Sequence, residues 1–225
     1  MTSWADKILA FQKKLKFEII LPTGVHVMNP YGDEQANRVC KKFYETFYDD
    51  AIQRTMIVGI NPGRMGGGIT GIPFTDPVKL ETLSIKNELP KKRELSADFI
   101  YEMIGAYGGA KKFYKKYYIS AVSPLGFVRD GKNLNYYDVK GLPKLIDSFI
   151  VECLRQQLSW GLNPKICFCL GEGENFKFLK KLNETHRFFE QIVPLPHPRF
   201  IMQYRRKRIN EFMELYVKKL ATEWQ

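Results

Sequence analysis

Cysteine is scarce here: four in 225 residues, with no Cys-x-x-Cys pair. Cys40, Cys153, Cys167 and Cys169 therefore suggest neither a disulfide framework nor a metal or iron–sulfur site. Cys167 and Cys169 lie two apart in the strand-like stretch 165–171, so they share a face and read as small buried hydrophobes. No apolar run approaches membrane-spanning length, and the N-terminal residues lack the apolar stretch of a secretion signal. The expected setting is a reducing intracellular compartment, cytoplasmic if the source is bacterial, with no membrane partner. Gly-Lys-Ser/Thr is missing, which removes a P-loop. The carboxylate pair or metal set of a nucleotide hydrolase or transferase is missing too. No repeat, low-complexity tract or linker divides the chain, and its length suits one domain, 1–225. Acids are outnumbered, 24 Asp and Glu against 35 Lys and Arg, a net charge of +11. An anionic partner and a merely basic protein fit that charge equally.

What is present is a hydrophobic fraction of 44%, ample for a core. Trp4, Ile8, Phe11 and Leu15 recur at helical spacing over 2–16, and a second helix starts at Asp33 or Glu34 and runs to about Tyr48. Residues 27–31 look irregular. Met56 to Ile60 reads as a buried strand. Residues 77–92 have no clear period and read as a surface loop, followed by helix over 94–116, interrupted at Gly105 to Gly109. Further strands are expected at 117–122, 165–170 and 191–195, with a turn at Arg129–Lys132 and helices at 141–159, 174–183 and from Ile209 onward. Strands alternating with helices give an α/β fold: a three-layer α/β/α sandwich around a mainly parallel four-stranded sheet.

The organising stretch is 55–76. Six of the seventeen glycines fall between Gly59 and Gly71, directly after the first buried strand. Such a loop lets backbone approach a ligand, and open α/β sheets place ligands at strand ends of this kind. Gly66, Gly68 and Gly71 fit G-x-G-x-x-G, but that fingerprint must open a helix, and Ile69–Pro73 is a poor helix start.

Gly59-Ile60-Asn61-Pro62-Gly63, with Gly71-Ile72-Pro73-Phe74 downstream, resembles the first active-site motif of the uracil-DNA glycosylase superfamily, and His197-Pro198 resembles its second. Val27–Tyr31, Ser123–Leu125 and Gly131–Leu134 are similar to flanking segments of the single-strand-selective monofunctional uracil-DNA glycosylases, so the likeness spans about residues 27–210. Mismatch-specific uracil glycosylases share the first run, but their second motif begins with Asn where this chain has His.

The resemblance implies a monofunctional glycosylase that removes a base from DNA without a cofactor or metal, acting as a monomer. Asn61 would position water and His197 would donate a hydrogen bond to the base carbonyl that gains charge. As single residues, a turn Asn and a satisfied loop His are the commoner roles; the pair at two strand ends favours chemistry. Phe74 suits a stacking platform or a core position equally. Ile60, Gly63, Met65, Gly71, Ala121 and Ser123 are the expected pocket residues, and Glu34 is either a water-holding group or a plain helix N-terminal acid. Relatives carry Asn where Ala121 stands, to read the uracil edge, so discrimination here must come from elsewhere, with tolerance for other deaminated or modified bases. DNA contact is expected from Arg64, Arg199, Phe200, Ile201, Met202, Tyr204, Arg205, Arg206 and Lys207, where relatives read His-Pro-Ser-Pro-Arg and insert a wedge. No Lys stands where a Schiff base would form, so no strand nicking is expected. The alternative is a catalytically silent nucleic-acid-binding module on the same scaffold.

Overall fold

The computed structural model describes residues 2–222; residue 1 and residues 223–225 of the expected 1–225 domain lie outside the described residues. Helix α1 (Trp4–Lys14) opens on a capping box in which Ser3 Oγ accepts from the Asp6 amide and the Asp6 carboxylate accepts from the Ser3 amide, at 3.2 and 3.1 Å. Strand β1 (His26–Met28) and a 3-10 turn at Pro30–Gly32 lead to α2 (Glu34–Phe47), capped by Asp33. After β2 (Arg54–Gly59) come two short helices, α3 (Gly67–Thr70) and α4 (Pro77–Thr82). Helices α5 (Leu95–Tyr107) and α6 (Ala110–Lys116) are separated by Gly108 and Gly109, both at positive φ. Then follow β3 (Tyr117–Ala121), the hairpin strands β4 (Gly126–Arg129) and β5 (Lys132–Leu134), and helices α7 (Leu142–Leu145) and α8 (Asp147–Leu158). The chain continues through β6 (Leu162–Leu170), α9 (Glu174–His186), β7 (Gln191–Leu195) and α10 (Pro198–Tyr204). A 3-10 turn at Arg206–Arg208 then enters α11 (Ile209–Ala221).

The central sheet has the order β3-β2-β6-β7, every neighbouring pair parallel, and helices flank it as expected. All of β3 and the last five residues of β6 are buried, so these strands are apolar on both faces rather than alternating, apart from Ser120, whose hydroxyl donates to Gln157 Oε1. Cys167 and Cys169 are fully buried in β6. Among the described residues no helix is long and apolar enough to cross a membrane.

Four local expectations change. The segment 27–31 is not all irregular: His26–Met28 pairs antiparallel with Gly126–Val128, giving a small sheet β1-β4-β5 whose strands of three and four residues are too short to show a period. The loop expected at 77–92 begins with α4, signalled by Asp76 as cap and Pro77 at the first helical position. The single helix expected at 141–159 breaks at Ile146, whose backbone leaves helical geometry between α7 and α8. Strand β6 starts at Leu162, three residues early, because a register irregularity opposite Arg54 and Met56 absorbs the extra chain.

Candidate active site

The site lies beyond the carboxyl ends of β2, β6 and β7, where a cavity of about 510 Å³ opens. Ile60, Asn61, Gly63, Phe74, Gly171, Asn175 and His197 are in its wall. Asn61 follows β2 and is held by the end of β5 and the chain just beyond it: its Oδ1 accepts from the Tyr136 amide at 3.0 Å and its Nδ2 donates to the Leu134 carbonyl at 3.1 Å. These bonds fix which end of the amide faces which way, and one Oδ1 lone pair stays open.

His197 follows β7. It has extended backbone before Pro198, as a residue preceding proline should, and it caps α10. Its Nδ1 accepts from the Arg199 amide at 3.1 Å, so the neutral ring carries its proton on Nε2. Burial and, secondarily, the Arg199 charge push its pKa down to about 4. At neutral pH the ring is an uncharged N–H donor.

Phe74 sits at φ 53, a backbone conformation that costs energy for a bulky residue. Thr70 holds the bend, its hydroxyl donating to the Thr75 carbonyl at 2.6 Å and accepting from the Ile72 amide at 3.1 Å. The ring lies over Gly59, where an added Cβ would come within 2.7 Å of it, and its centroid is 6.0 Å from that of His197. A flat aromatic face, a neutral N–H donor and a clamped amide thus share one cavity. This can take a planar heterocycle and stabilise negative charge developing on it.

The profile of the uracil DNA glycosylase superfamily matches residues 46–221. The chain belongs to that superfamily. Its structure is similar to the crystal structure of wild-type Pedobacter heparinus SMUG2, with 46% identity over 97% of each chain and a TM-score of 0.95. No curated protein sequence matches the chain. This membership makes it a monofunctional DNA glycosylase of base-excision repair, hydrolysing N-glycosidic bonds, rather than a silent binding module.

Several expected pocket residues of this glycosylase lie elsewhere. Ala121 and Ser123 are buried and line neither this cavity nor its neighbour. The end of β3 is latched onto β2 by the Val122 and Ser123 amides, which donate to the Gly59 and Ile60 carbonyls, and the Ser123 hydroxyl turns to the Leu125 carbonyl at 2.8 Å. Gly71 faces α2, where a Cβ would strike Cys40 Sγ at 2.7 Å. Glu34 is exposed at the first turn of α2 and borders neither cavity. Ile201 and Met202 are buried on the inner face of α10, which packs on α5, and are unavailable as a wedge; Arg199, Phe200, Tyr204 and Arg205 to Lys207 are exposed. Met65 and Arg64 line a second cavity of about 410 Å³, shared with Arg93, Glu94, Lys132 and Arg199. The Arg64 amide donates to Asn133 Oδ1 at 2.9 Å, tying the glycine loop to β5.

Glu94, Asn133 and Asn175 were missed as site residues. Asn175 is buried at the start of α9. Its Nδ2 donates to the Leu170 carbonyl at 3.1 Å and its Oδ1 accepts from the Tyr136 hydroxyl at 2.9 Å. The strand-end rule that singled out Asn61 also reaches Gly171–Asn175, just past β6.

Proposed function

We propose that this glycosylase removes uracil and related deaminated or modified bases from DNA and leaves an abasic site without nicking the strand. The observation that carries this reading is the neutral His197 ring, with Nδ1 occupied by the Arg199 amide and Nε2–H left to donate into the cavity. As the C1′–N1 bond lengthens, negative charge moves onto the base carbonyl, and a fixed neutral donor stabilises it without first losing a proton. Asn61 orients the attacking water through its open oxygen lone pair. Phe74 stacks on a base turned out of the helix, an arrangement that needs no base-specific contact.

Ala121 stands back from the cavity, and the Asn175 amide in the cavity wall is already held by the Leu170 carbonyl and the Tyr136 hydroxyl, which supports a tolerant pocket. Arg64, Arg199 and the run Arg205–Lys207 take phosphates, and Phe200 and Tyr204 offer exposed rings for bases beside the flipped one. The chain works as a single domain and a monomer inside the cell. The test is alkali-revealed cleavage of labelled oligonucleotides carrying uracil or other lesions, single- and double-stranded. Release of uracil and of at least one further deaminated base is expected. Cleavage of uracil alone would refute the tolerant pocket, and cleavage without alkali would refute the monofunctional outcome.

A further inference from the structure

The reaction needs an acceptor for the proton of the attacking water, and the residues assigned so far do not supply one. An amide oxygen is a negligible base, and Asn61 already accepts the Tyr136 amide. His197 Nδ1 is occupied by the Arg199 amide. Glu172 and Glu174 border the cavity but are exposed at its rim. Glu94 stands apart from them. It is the residue before α5, its amide anchored on Asp76 Oδ2 at 2.8 Å, and its side chain borders both cavities.

The glycine loop is shaped around this carboxyl. A Cβ at Gly63 would come 2.5 Å from Glu94 Oε1, and one at Gly66 would come 2.0 Å from Oε2. Gly63 is two residues beyond Asn61, so the loop brings the carboxyl to the Asn61 side of the cavity. Among the described residues none donates a hydrogen bond to this carboxylate or pairs with it. The carboxyl is half-buried in the wall, with its acceptor sites open to the two cavities, where a water can fill them.

We infer that the Glu94 carboxylate holds the attacking water and takes its proton, making Glu94 a catalytic residue of this enzyme. This rests on the reading of Asn61 and His197 given above. The water oxygen bonds to C1′ as the C1′–N1 bond breaks. The electron pair of that bond leaves with the base, whose carbonyl oxygen is held by His197. The water proton goes to Glu94 and then to solvent.

The surroundings suit a base that works near neutrality. Burial raises the Glu94 pKa to about 7, Asp76 adds to the rise and Arg199 opposes it. The other charged groups bordering its cavity are Arg64 of the glycine loop, Arg93 beside it and Lys132 of β5; His197 stands across the first cavity. Bound phosphates would shift the pKa further up, so the limb in the complex lies at or above pH 7.

The test is single-turnover uracil release from a single-stranded oligonucleotide at saturating enzyme, from pH 5 to 9. The wild-type rate should rise through a limb at or above pH 7. Glu94→Gln should be about a hundredfold slower or worse at pH 8, and the limb should vanish. The same variant should bind an oligonucleotide carrying 2′-fluoro-deoxyuridine, which resists cleavage, within threefold of wild type. A Gln variant within threefold of the wild-type rate, or one that keeps the limb, overturns the inference. If the Gln variant loses its melting transition, Glu94→Asp decides: a retained limb at reduced rate supports the inference and an absent limb overturns it. A wild-type protein that releases no uracil defeats the underlying reading instead, an outcome distinct from any result with the variants.

Discussion

Arg54 and the half-buried Glu94 stand toward opposite ends of the sheet, and they are treated in opposite ways. Arg54 begins β2 and is fully buried. Its Nε donates to the Tyr114 carbonyl at 2.7 Å, its two terminal nitrogens reach the Asp50 carboxylate at 2.8 and 3.0 Å, and a further bond goes to the Ile52 carbonyl at 3.0 Å. The guanidinium also lies over the Tyr48 and Trp4 rings, 4.7 and 5.3 Å from their centroids. Burial pushes the Asp50 carboxyl up, yet the bonds from Arg54 and the Ile52 amide outweigh it and leave its pKa below the ordinary value. At the other end of the molecule Glu94 has no such partners. One end of the sheet has its polar groups satisfied and serves stability. The other leaves a carboxyl without a protein partner among the described residues, beside the cavity where we place the chemistry.

The largest effect should come from breaking the satisfied end. Arg54→Ala leaves several carbonyls and the Asp50 carboxylate without their donor, and removing one partner of a buried pair typically costs about 3–5 kcal/mol. Denaturant unfolding should show that loss, while uracil release per folded molecule stays within a few-fold of wild type. A loss below about 1 kcal/mol would mean that the two ends do not differ in this way.

The opposite profile is expected beyond the carboxyl ends of the strands. His197→Ala removes a donor aimed at developing charge, which costs about 10²–10³-fold in rate for comparable donors. Its effect on stability should be small, because the ring's one bond to the described protein is the cap on the Arg199 amide. Asn61→Ala should cut the rate comparably, with some destabilisation because it removes the tie to Leu134 and Tyr136. Near-normal single-turnover rates in both variants would remove the chemistry from this end.

The unsatisfied carboxyl should also be visible in stability. A Glu94 pKa of about 7 in the fold, against 4.5 ordinarily, means that the folded state holds its proton more tightly than the unfolded state. Stability contributed by the neutral form is therefore lost as pH climbs from about 4.5 to about 7, and the cost is complete above that. His197 works in the other direction. Its depressed pKa, about 4 against 6.5, makes stability rise with pH over that window. Glu94→Gln removes only the first slope. At pH 8 the variant should be more stable than wild type by something on the order of 1–3 kcal/mol, the gap closing toward pH 4.5. Equal stabilities at pH 8 would show that the carboxyl is compensated after all.

The same contrast explains what could be read in the sequence. The parallel sheet was legible because buried strands carry apolar and aromatic residues on both faces, as in Tyr117–Ala121, where Ser120 is the one small polar exception, and the 166–170 part of β6. Asn61, His197 and Phe74 were legible because they sit in motifs at strand ends. Glu94 was not. It precedes a helix far along the chain from the loop it touches, and a Glu before a helix is an ordinary cap-region acid. What singles it out is its approach to Gly63 and Gly66, and a meeting of residues 31 and 28 apart leaves no periodic trace. Ala121 misled in the opposite direction: a resemblance assigns a position to a pocket, but here that residue is buried at the end of β3, paired with Gly59 of β2, and lines neither cavity. The wedge expectation failed at Ile201 and Met202 for a related reason. Pro198 starts a helix, and helical spacing puts these two on its buried face while Phe200 and Tyr204 point outward.

The smallest effect concerns charges that, like Glu94, lack an ion-pair partner among the described residues, at little cost because they are solvated. Arg205, Arg206 and Lys207 are exposed after α10. Arg205 lies 5.3 Å from the Phe200 ring centroid, beside the cavity. Arg208 differs, being held by Glu211 at distances of 2.6 to 3.1 Å, and it contributes little free charge. Removing one protein–phosphate ion pair lowers the salt slope of binding by about 0.7–0.9, depending on strand form. On a tight turn the three side chains fan out, so one or two of them reach phosphate. Replacing Arg205, Arg206 and Lys207 together by Gln should therefore weaken oligonucleotide binding at moderate salt and flatten log Kd against log salt by the equivalent of about one to two phosphates. Stability should not move, because no buried group is deprived of a partner. Single-turnover release at saturating enzyme should change by less than the His197 or Glu94 variants, because these charges do not touch the base. An unchanged affinity and an unchanged slope on the same oligonucleotide would make the run a solvated surface and shift the phosphate path to Arg64, Arg93, Lys132 and Arg199 around the second cavity.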